Sequence, residues 1–450
     1  MSIFNNKRLP EELFLIDAER IRQGWYSDKY FCNNVELLEK LAAEKYHFQG
    51  ESDLKDIDCS VICTGNIVVE MQFFTRRRPF SVVAGVDEAL AILKQCAGYY
   101  AENGQFVNTY DELEVEAVQD GTFVTYDGDP KKVVPVIKVR GNHRYFAKLE
   151  TVMLGAMAEP TRIATNVFNT LVAARNKEVL FFPARFTPYK IQALHGYAYS
   201  LGIDAYNKKY GKKNGTFVST DSGAAYWSGS GVGTISHSTI ASFCGDTAEA
   251  MYQFARLLNP AISRIALVDF HNDCVGESKK VMKRLWDKYL ELYQNGNMEE
   301  ARQYKLFGVR PDTSANMRDK SIVPTGNKSL DMGVSPKLVW NIREGLDNAY
   351  LEWDVPVEYL ELAKEYCKDV KIFVTGGFTV KKIREFEEQA VPVDFYGVGS
   401  SLIENSQETN NDFTADIVRI KIGNDWRNLA KIGRCTCTNP ELELIASPRI

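Results

Sequence analysis

The chain offers nothing that would lodge in a membrane and no surplus of positive charge. No apolar run reaches transmembrane length, and the opening segment, MSIFNNKRLPEELFLIDAER, lacks the apolar core of a secretory signal. Lys and Arg total 54 against 59 Asp and Glu, a formal net charge of −5, so neither nucleic acid nor an acidic membrane is an expected partner. A local pocket can still be positive, which keeps an anionic substrate open. Cysteine supplies no disulfide framework. There are nine, an odd number, and most lie in apolar segments, as Cys96 and Cys244 do, where a reduced, buried thiol is the expectation. The close pairs Cys59/Cys63 and Cys435/Cys437 lack the doubled CxxC spacing of a zinc site, so no protein-bound metal is expected. A cytoplasmic location is the expectation.

With 450 residues, the chain is too long for one ordinary core and suits two domains. Residues 1–150 mix helical stretches, VELLEKLAAEKY (35–46) and DEALAILKQCAGYY (87–100), with strand-like ones, IVVEMQFF (67–74), FSVVAG (80–85) and VVPVIKVRG (133–141). This pattern predicts an α+β domain. From 151 to 407 the rhythm changes. Short β-branched runs alternate with helices: EVLFFP (178–183), GTFVST (215–220), SRIALVDF (263–270), YKLFGVRPD (304–312), KIFVTGG (371–377) and VDFYGVGS (393–400). Apolar strands with amphipathic helices between them predict a parallel sheet, and their number suits an α/β fold of the irregular, TIM-like barrel kind. The tail, 408–450, turns polar, carries the strand-like DIVRIKIG (416–423), and is expected to return to the first domain.

In such a fold, chemistry gathers at the C-terminal ends of the strands. One strand ends in Asp269, another in Arg310 and Asp312, another in Thr375, Gly376 and Gly377, and the last in Gly397, Gly399 and Ser400. Glycines make tight turns. Two consecutive late strands that both end in glycine and a hydroxyl also suit a phosphate, whose oxygens backbone N–H groups can reach where no Cβ intervenes. Arg310 and Asp312 point the same way, either as an internal ion pair or to hold an anion and ribose hydroxyls. Asp269 either caps a turn or does chemistry. A glycine-rich strand, Gly231 to Thr234, is read as leading to His237 and a helix start; the histidine is structural or functional. His47, His143 and His195 have no comparable context. TRRRP (75–79) is a solvated basic run or an anion grip.

The strings VGTISHSTI, IALVDF, FGVRPDTS, VTGGFTVKKI and YGVGSSL occur in that order, preceded by GWYSDKYF, MQFFTRRRPFSVVAGVDEAL, HRYFAKLETVMLG and LGAMAEPTRIATN. Together they resemble the motifs of nicotinate phosphoribosyltransferases and their nicotinamide-using relatives, over nearly the whole chain. The resemblance implies a cytoplasmic homodimer that joins nicotinate to 5-phosphoribosyl-1-pyrophosphate with Mg2+, coupled to ATP. It implies that Tyr30 stacks on the pyridine from the partner subunit and that Arg185 binds its carboxylate or a phosphate. His237 would accept a phosphoryl group from ATP. Asp269, Arg310 and Asp312 would contact ribose and pyrophosphate, and Gly376, Gly377, Gly399 and Ser400 the 5-phosphate. Two departures stand out. RPDTSAN replaces the usual acidic run after the arginine, and Gly196 stands where nicotinamide enzymes carry an aspartate that holds the amide. On that reading the missing carboxylate favours nicotinate. The rivals are a nicotinamide-using enzyme and a non-catalytic barrel that senses a phosphorylated metabolite. A Schiff-base aldolase lacks its lysine, because Lys305 and Lys371 lie at strand beginnings.

Overall fold

A computed structural model describes residues 8–448 except 53, 55 and 56. Contacts divide the chain into two compact units. The first takes the described residues up to Phe168, then Tyr197–Lys209, then those from Glu404 on; the second takes Asn169–Gly196 and Tyr210–Ile403. Along the chain the strands are β1 (Val68–Thr75), β2 (Phe80–Val82), β3 (Gly98–Tyr100), β4 (Phe106–Asn108), β5 (Glu114–Ala117), β6 (Phe123–Thr125) and β7 (Ile137–Asn142). Then come β8 (Glu178–Phe181), β9 (Ile265–Leu267), β10 (Gly308–Arg310), β11 (Lys371–Val374) and β12 (Phe395–Val398), and finally β13 (Phe413–Ile422), β14 (Asp425–Asn428) and β15 (Glu443–Ala446).

In the first unit a six-stranded sheet runs β14-β13-β1-β7-β5-β15. Its axis is β1, paired antiparallel with β13 on one side and β7 on the other. Side chains alternate along a strand, so Val69, Met71 and Phe73 share a face, and they join the apolar core with Leu90 and Leu93 of helix Val86–Cys96. The opposite face carries Glu70 and Gln72, both fully buried. Glu70 is held by Arg140 (2.5 Å), Arg419, Lys138 (3.5 Å) and the Thr436 hydroxyl (2.9 Å). Burial alone would raise its carboxyl pKa; the bonds from Arg419 and Arg140 and the Lys138 charge overturn this and hold it at about 2. The segment Tyr197–Lys209 also belongs here. Tyr197 donates to Asp120 (2.9 Å), and the Lys209 ammonium lies 4.8 Å from the Phe123 ring centre.

The TRRRP segment is not a solvated run. Arg76 pairs with Asp412, and the Arg78 guanidinium lies 5.8 Å from the Tyr126 ring centre. Arg77 is buried and donates to Asn166 (2.8 Å), Asn411 (3.1 Å) and the Arg162 carbonyl (3.3 Å), its pKa lowered to about 10 chiefly by burial.

The second unit is built on a five-stranded parallel sheet, order β8-β12-β11-β10-β9. Its helices begin where the sequence offers a cap. Asp246, Asp273, Ser335 and Thr379 each accept a backbone N–H three residues on, and Pro336 follows Ser335 at the first helical position. The expected closed barrel is not there: among the described residues the sheet has free edges. Two expected strands fail to form. GTFVST contributes one bridge, Phe181 with Val218, and the glycine-rich segment before His237 is irregular, tied on by the bond from Val232 N to Val218 O (2.8 Å). Glycine and serine supply too little side chain to hold a ladder. No helix among the described residues is long and apolar enough to cross a membrane.

Glu70 ties the first unit's stability to pH. Its folded pKa, about 2, lies below an ordinary glutamate's, so its contribution is complete above about pH 4.5 and is lost as pH falls toward 2. Glu70→Gln is expected to destabilise the protein by on the order of 3 kcal/mol near pH 7, and by much less at pH 3. Denaturant unfolding of both proteins at the two pH values checks it. A gap independent of pH would assign the loss to packing.

Candidate active site

The candidate side chains of the second unit come from adjacent strand ends, where open α/β sheets generally bind their ligands. Arg310 ends β10, and its side chain is 15% exposed. It donates through Nη1 to the Thr375 hydroxyl (3.3 Å) at the end of β11 and through Nη2 to the Ile235 carbonyl (3.2 Å), and it lies 3.6 Å from Asp312. Thr375 lies 2.7 Å from Asp312 Oδ1 and 3.2 Å from the Pro311 carbonyl, both within donating reach of its hydroxyl. Burial lowers the Arg310 pKa; the Asp312 and Asp269 charges raise it, and the Arg185 charge lowers it. Arg310 Nε is buried and has no hydrogen-bond partner. The ion pair is therefore loose, which leaves guanidinium capacity for an anion.

Ile235 precedes Ser236, whose hydroxyl accepts Thr239 N and caps the short helix His237–Ser242. That places His237 beside Asp269, with Nε2 3.1 Å from both carboxylate oxygens. The histidine side chain is 48% exposed and the aspartate 8%. Burial raises the Asp269 pKa, the His237 partnership opposes this, and the Asp312 charge adds to the rise. A buried carboxylate that fixes one ring nitrogen leaves the other for chemistry.

Around the glycines, space separates two roles. A Cβ on Gly377 would meet nothing within 4 Å, and both Gly376 (φ +90°) and Gly377 (φ +69°) adopt left-handed backbone. Their loop is open at the start of helix Val380–Glu388. Gly397 differs: a Cβ there would lie 2.5 Å from Thr375 Cγ2 and 2.9 Å from Phe182, so this glycine makes room for protein. Beside Gly399 and Ser400, the Ser401 hydroxyl is buried without a partner. Arg185 is exposed beside Phe186. Tyr30 belongs to the first unit, where it is 63% exposed and its hydroxyl lies 3.3 Å from Asp28. Position 196 cannot discriminate substrates as the sequence suggested. A Cβ on Gly196 would lie 1.8 Å from the Gly223 carbonyl, so no side chain fits there.

One group escaped the sequence reading. Lys382 arches back over the glycine loop; its ammonium donates to the Gly376 carbonyl (3.4 Å) and sits 4.2 Å from the Phe378 ring centre. Burial lowers its pKa to about 8. The signal was present, since a capping threonine at 379 puts residue 382 in the first helical turn. Among the described residues no three His, Cys, Asp or Glu side chains form a group able to hold a metal ion by themselves. Asp269 and Asp312 are near enough to feel each other's charge, and they suit a hard cation that also takes oxygens from a bound phosphate.

Residues 56–161 match the family model of the quinolinate phosphoribosyl transferase N-terminal domain. Among solved structures, the chain resembles a nicotinate-nucleotide pyrophosphorylase from Pyrococcus furiosus, at 22% identity and a TM-score of 0.63, over 97% of this chain and 86% of that one. It also resembles human nicotinic acid phosphoribosyltransferase, at 14% identity and a TM-score of 0.55, over 88% of this chain and 75% of that one. No curated protein matches the sequence significantly.

The glycines should separate in stability measurements. Gly397→Ala and Gly196→Ala force a Cβ into occupied space and are expected to destabilise by about 1–3 kcal/mol or more. Gly377→Ala meets only the backbone penalty of its positive φ, about 1 kcal/mol. Chemical denaturation of the three variants tests this ordering; a Gly377 variant as unstable as the other two would contradict an open loop.

Proposed function

We propose that this chain, whose fold is that of the type II phosphoribosyltransferases, is a phosphoribosyltransferase of NAD metabolism. It joins nicotinate to 5-phosphoribosyl-1-pyrophosphate, giving nicotinate mononucleotide and pyrophosphate, with ATP as co-substrate. The observation that carries the reading is the juxtaposition of Arg310, Asp312 and Thr375 with an open Gly376–Gly377 loop at neighbouring strand ends. One end suits ribose hydroxyls and pyrophosphate, the other a terminal phosphate.

The pyridine nitrogen attacks C1 of the ribose as the bond to pyrophosphate breaks. No general base is needed, because that nitrogen already has a lone pair. Positive charge develops on the ribose ring and negative charge on the leaving oxygen, so positioning and electrostatics do the work. Asp312 accepts from the ribose hydroxyls, and Arg310 faces the pyrophosphate. Asp269 and Asp312 are the carboxylates that would hold a magnesium ion brought by the pyrophosphate, whose charge would offset that of the leaving group. Gly376, Gly377, Gly399 and Ser400 hold the 5-phosphate. Arg185 offers the nicotinate carboxylate a cation, which favours the acid over the amide now that position 196 has no say.

His237 is the phosphoryl acceptor. Nε2–H donates to Asp269, so the lone pair that attacks the γ-phosphorus of ATP is on Nδ1; ADP leaves, and Asp269 can accept the Nε2 proton as the phosphohistidine forms. The protein acts in the cytoplasm as a homodimer, with the partner's Tyr30 stacking on the pyridine. The match over residues 56–161 favours a second reading, in which quinolinate is the base and carbon dioxide is released.

The test is incubation with phosphoribosyl pyrophosphate and each of nicotinate, nicotinamide and quinolinate, with and without ATP, and identification of the mononucleotide. Nicotinate is expected to react, faster with ATP and with an acid-labile phosphohistidine. His237→Ala is expected to lower turnover by about 10²-fold. Product from quinolinate with release of carbon dioxide would establish the second reading; equal turnover without ATP, and no phosphohistidine, would remove the His237 role. Mixing Tyr30→Ala with Asp312→Ala subunits is expected to restore part of the activity. No rescue in verified mixed dimers would place the whole site in one chain.

A further inference from the structure

Among the described residues only one pair of cysteines has its sulfurs in contact. Cys435 Sγ and Cys437 Sγ lie 3.9 Å apart. Both belong to a strap after β14 that crosses the Glu70 face of β1. Gln72, fully buried on β1, clamps that strap with both ends of its amide: Nε2 donates to the Cys435 carbonyl (3.0 Å), and Oε1 accepts Cys437 N (3.1 Å). Between the two cysteines, the Thr436 hydroxyl donates to Glu70 (2.9 Å). Residues two apart on an extended strap point the same way, so the clamp turns both thiols to one side. There they share an acceptor, the Lys131 carbonyl, at 3.2 Å and 3.3 Å. Both are half-buried rather than sealed.

We propose that Cys435 and Cys437 form a reversible dithiol/disulfide site whose reactant is a small-molecule disulfide of the glutathione kind. The Cys435 thiolate attacks one sulfur of the disulfide and releases one thiol, giving a mixed disulfide. Cys437, having lost its proton, attacks Cys435 Sγ and releases the second thiol. The protein loses two electrons and two protons, and the reagent disulfide becomes two thiols.

The order of attack follows from the surroundings. Burial and the neighbouring Cys435 push the Cys437 thiol up to about 11, with Lys138 acting in the opposite sense, so Cys437 is the slower nucleophile and resolves the mixed disulfide. Reversibility follows from geometry. A bond between residues only two apart closes a tight ring of chain, which strains it. Strained disulfides have high reduction potentials and are the labile ones. The buried thiols Cys96 and Cys367, pushed up to about 11 and about 12, have no sulfur partner, and exposed Cys244 has none either.

The experiment equilibrates the whole protein in glutathione buffers of graded oxidised-to-reduced ratio, blocks the free thiols, and reads each cysteine by peptide mass spectrometry. The Cys435–Cys437 peptide is expected to lose two hydrogens and both blocking groups as the ratio rises, and to regain them on reduction. Cys244 can gain only a bound glutathione. In Cys437→Ser, glutathione is expected to accumulate on Cys435; in Cys435→Ser, reaction at Cys437 slows by about tenfold or more. The wild-type measurement decides without the variants. Full blocking of both thiols at every ratio, or glutathione that remains on Cys435 with no internal bond, would overturn the proposal.

Discussion

The second unit depends on where one buried guanidinium finds its partners. Arg310 leaves the end of β10 and reaches the Ile235 carbonyl on one side and Thr375 on the other. Among the described residues no strand lies beyond β9, and this side-chain bond ties the irregular segment before His237 to the end of β10. That bond fixes the turn before the Ser236 cap, which sets where His237 begins its helix and meets Asp269. On the other side Thr375 is held between Arg310 and Asp312, and it leads straight into the open glycine loop. A single cation thus positions the histidine, the carboxylate pair and the open glycine loop together. Because its own ion pair is long, at 3.6 Å, it is not exhausted in doing so.

Carboxylates serve opposite ends in the two units. Glu70 is compensated by three cations and a hydroxyl, and its charge is locked on. Asp269 is buried with a half-exposed histidine as its direct partner and another carboxylate nearby, and its pKa rises. Full compensation suits a structural group; incomplete compensation leaves room for a substrate to finish it.

What could be read from sequence follows from what carries local information. The five short apolar strands of the second unit were visible because β-branched runs end in polar or glycine residues. The helices that follow Asp246, Asp273 and Thr379 announce themselves through capping side chains. Closure of the barrel was misread because it depends on backbone pairing by GTFVST and the glycine-rich segment, whose composition gives no such assurance. The meaning of Gly196 and Gly397 was invisible: each is small because a neighbour distant in sequence, Gly223 or Phe182, occupies the space its Cβ would need. Lys382 is not legible in the loop's own sequence, because only the turn of the following helix brings its ammonium back to the Gly376 carbonyl.

The central strand of the first unit is made early and completed late. Arg419 reaches Glu70 across 349 residues of chain. At typical synthesis rates that interval lasts on the order of tens of seconds. Once β7 has been made, β1 has it on one side and a bare edge on the other, and its buried glutamate lacks the Arg419 bond that helps to hold its charge. The nascent chain therefore carries both an unpaired edge and an under-compensated ion until residues 413–422 leave the ribosome. The tail acts as the closing piece of assembly, and losing it would undo the centre of the sheet rather than its margin.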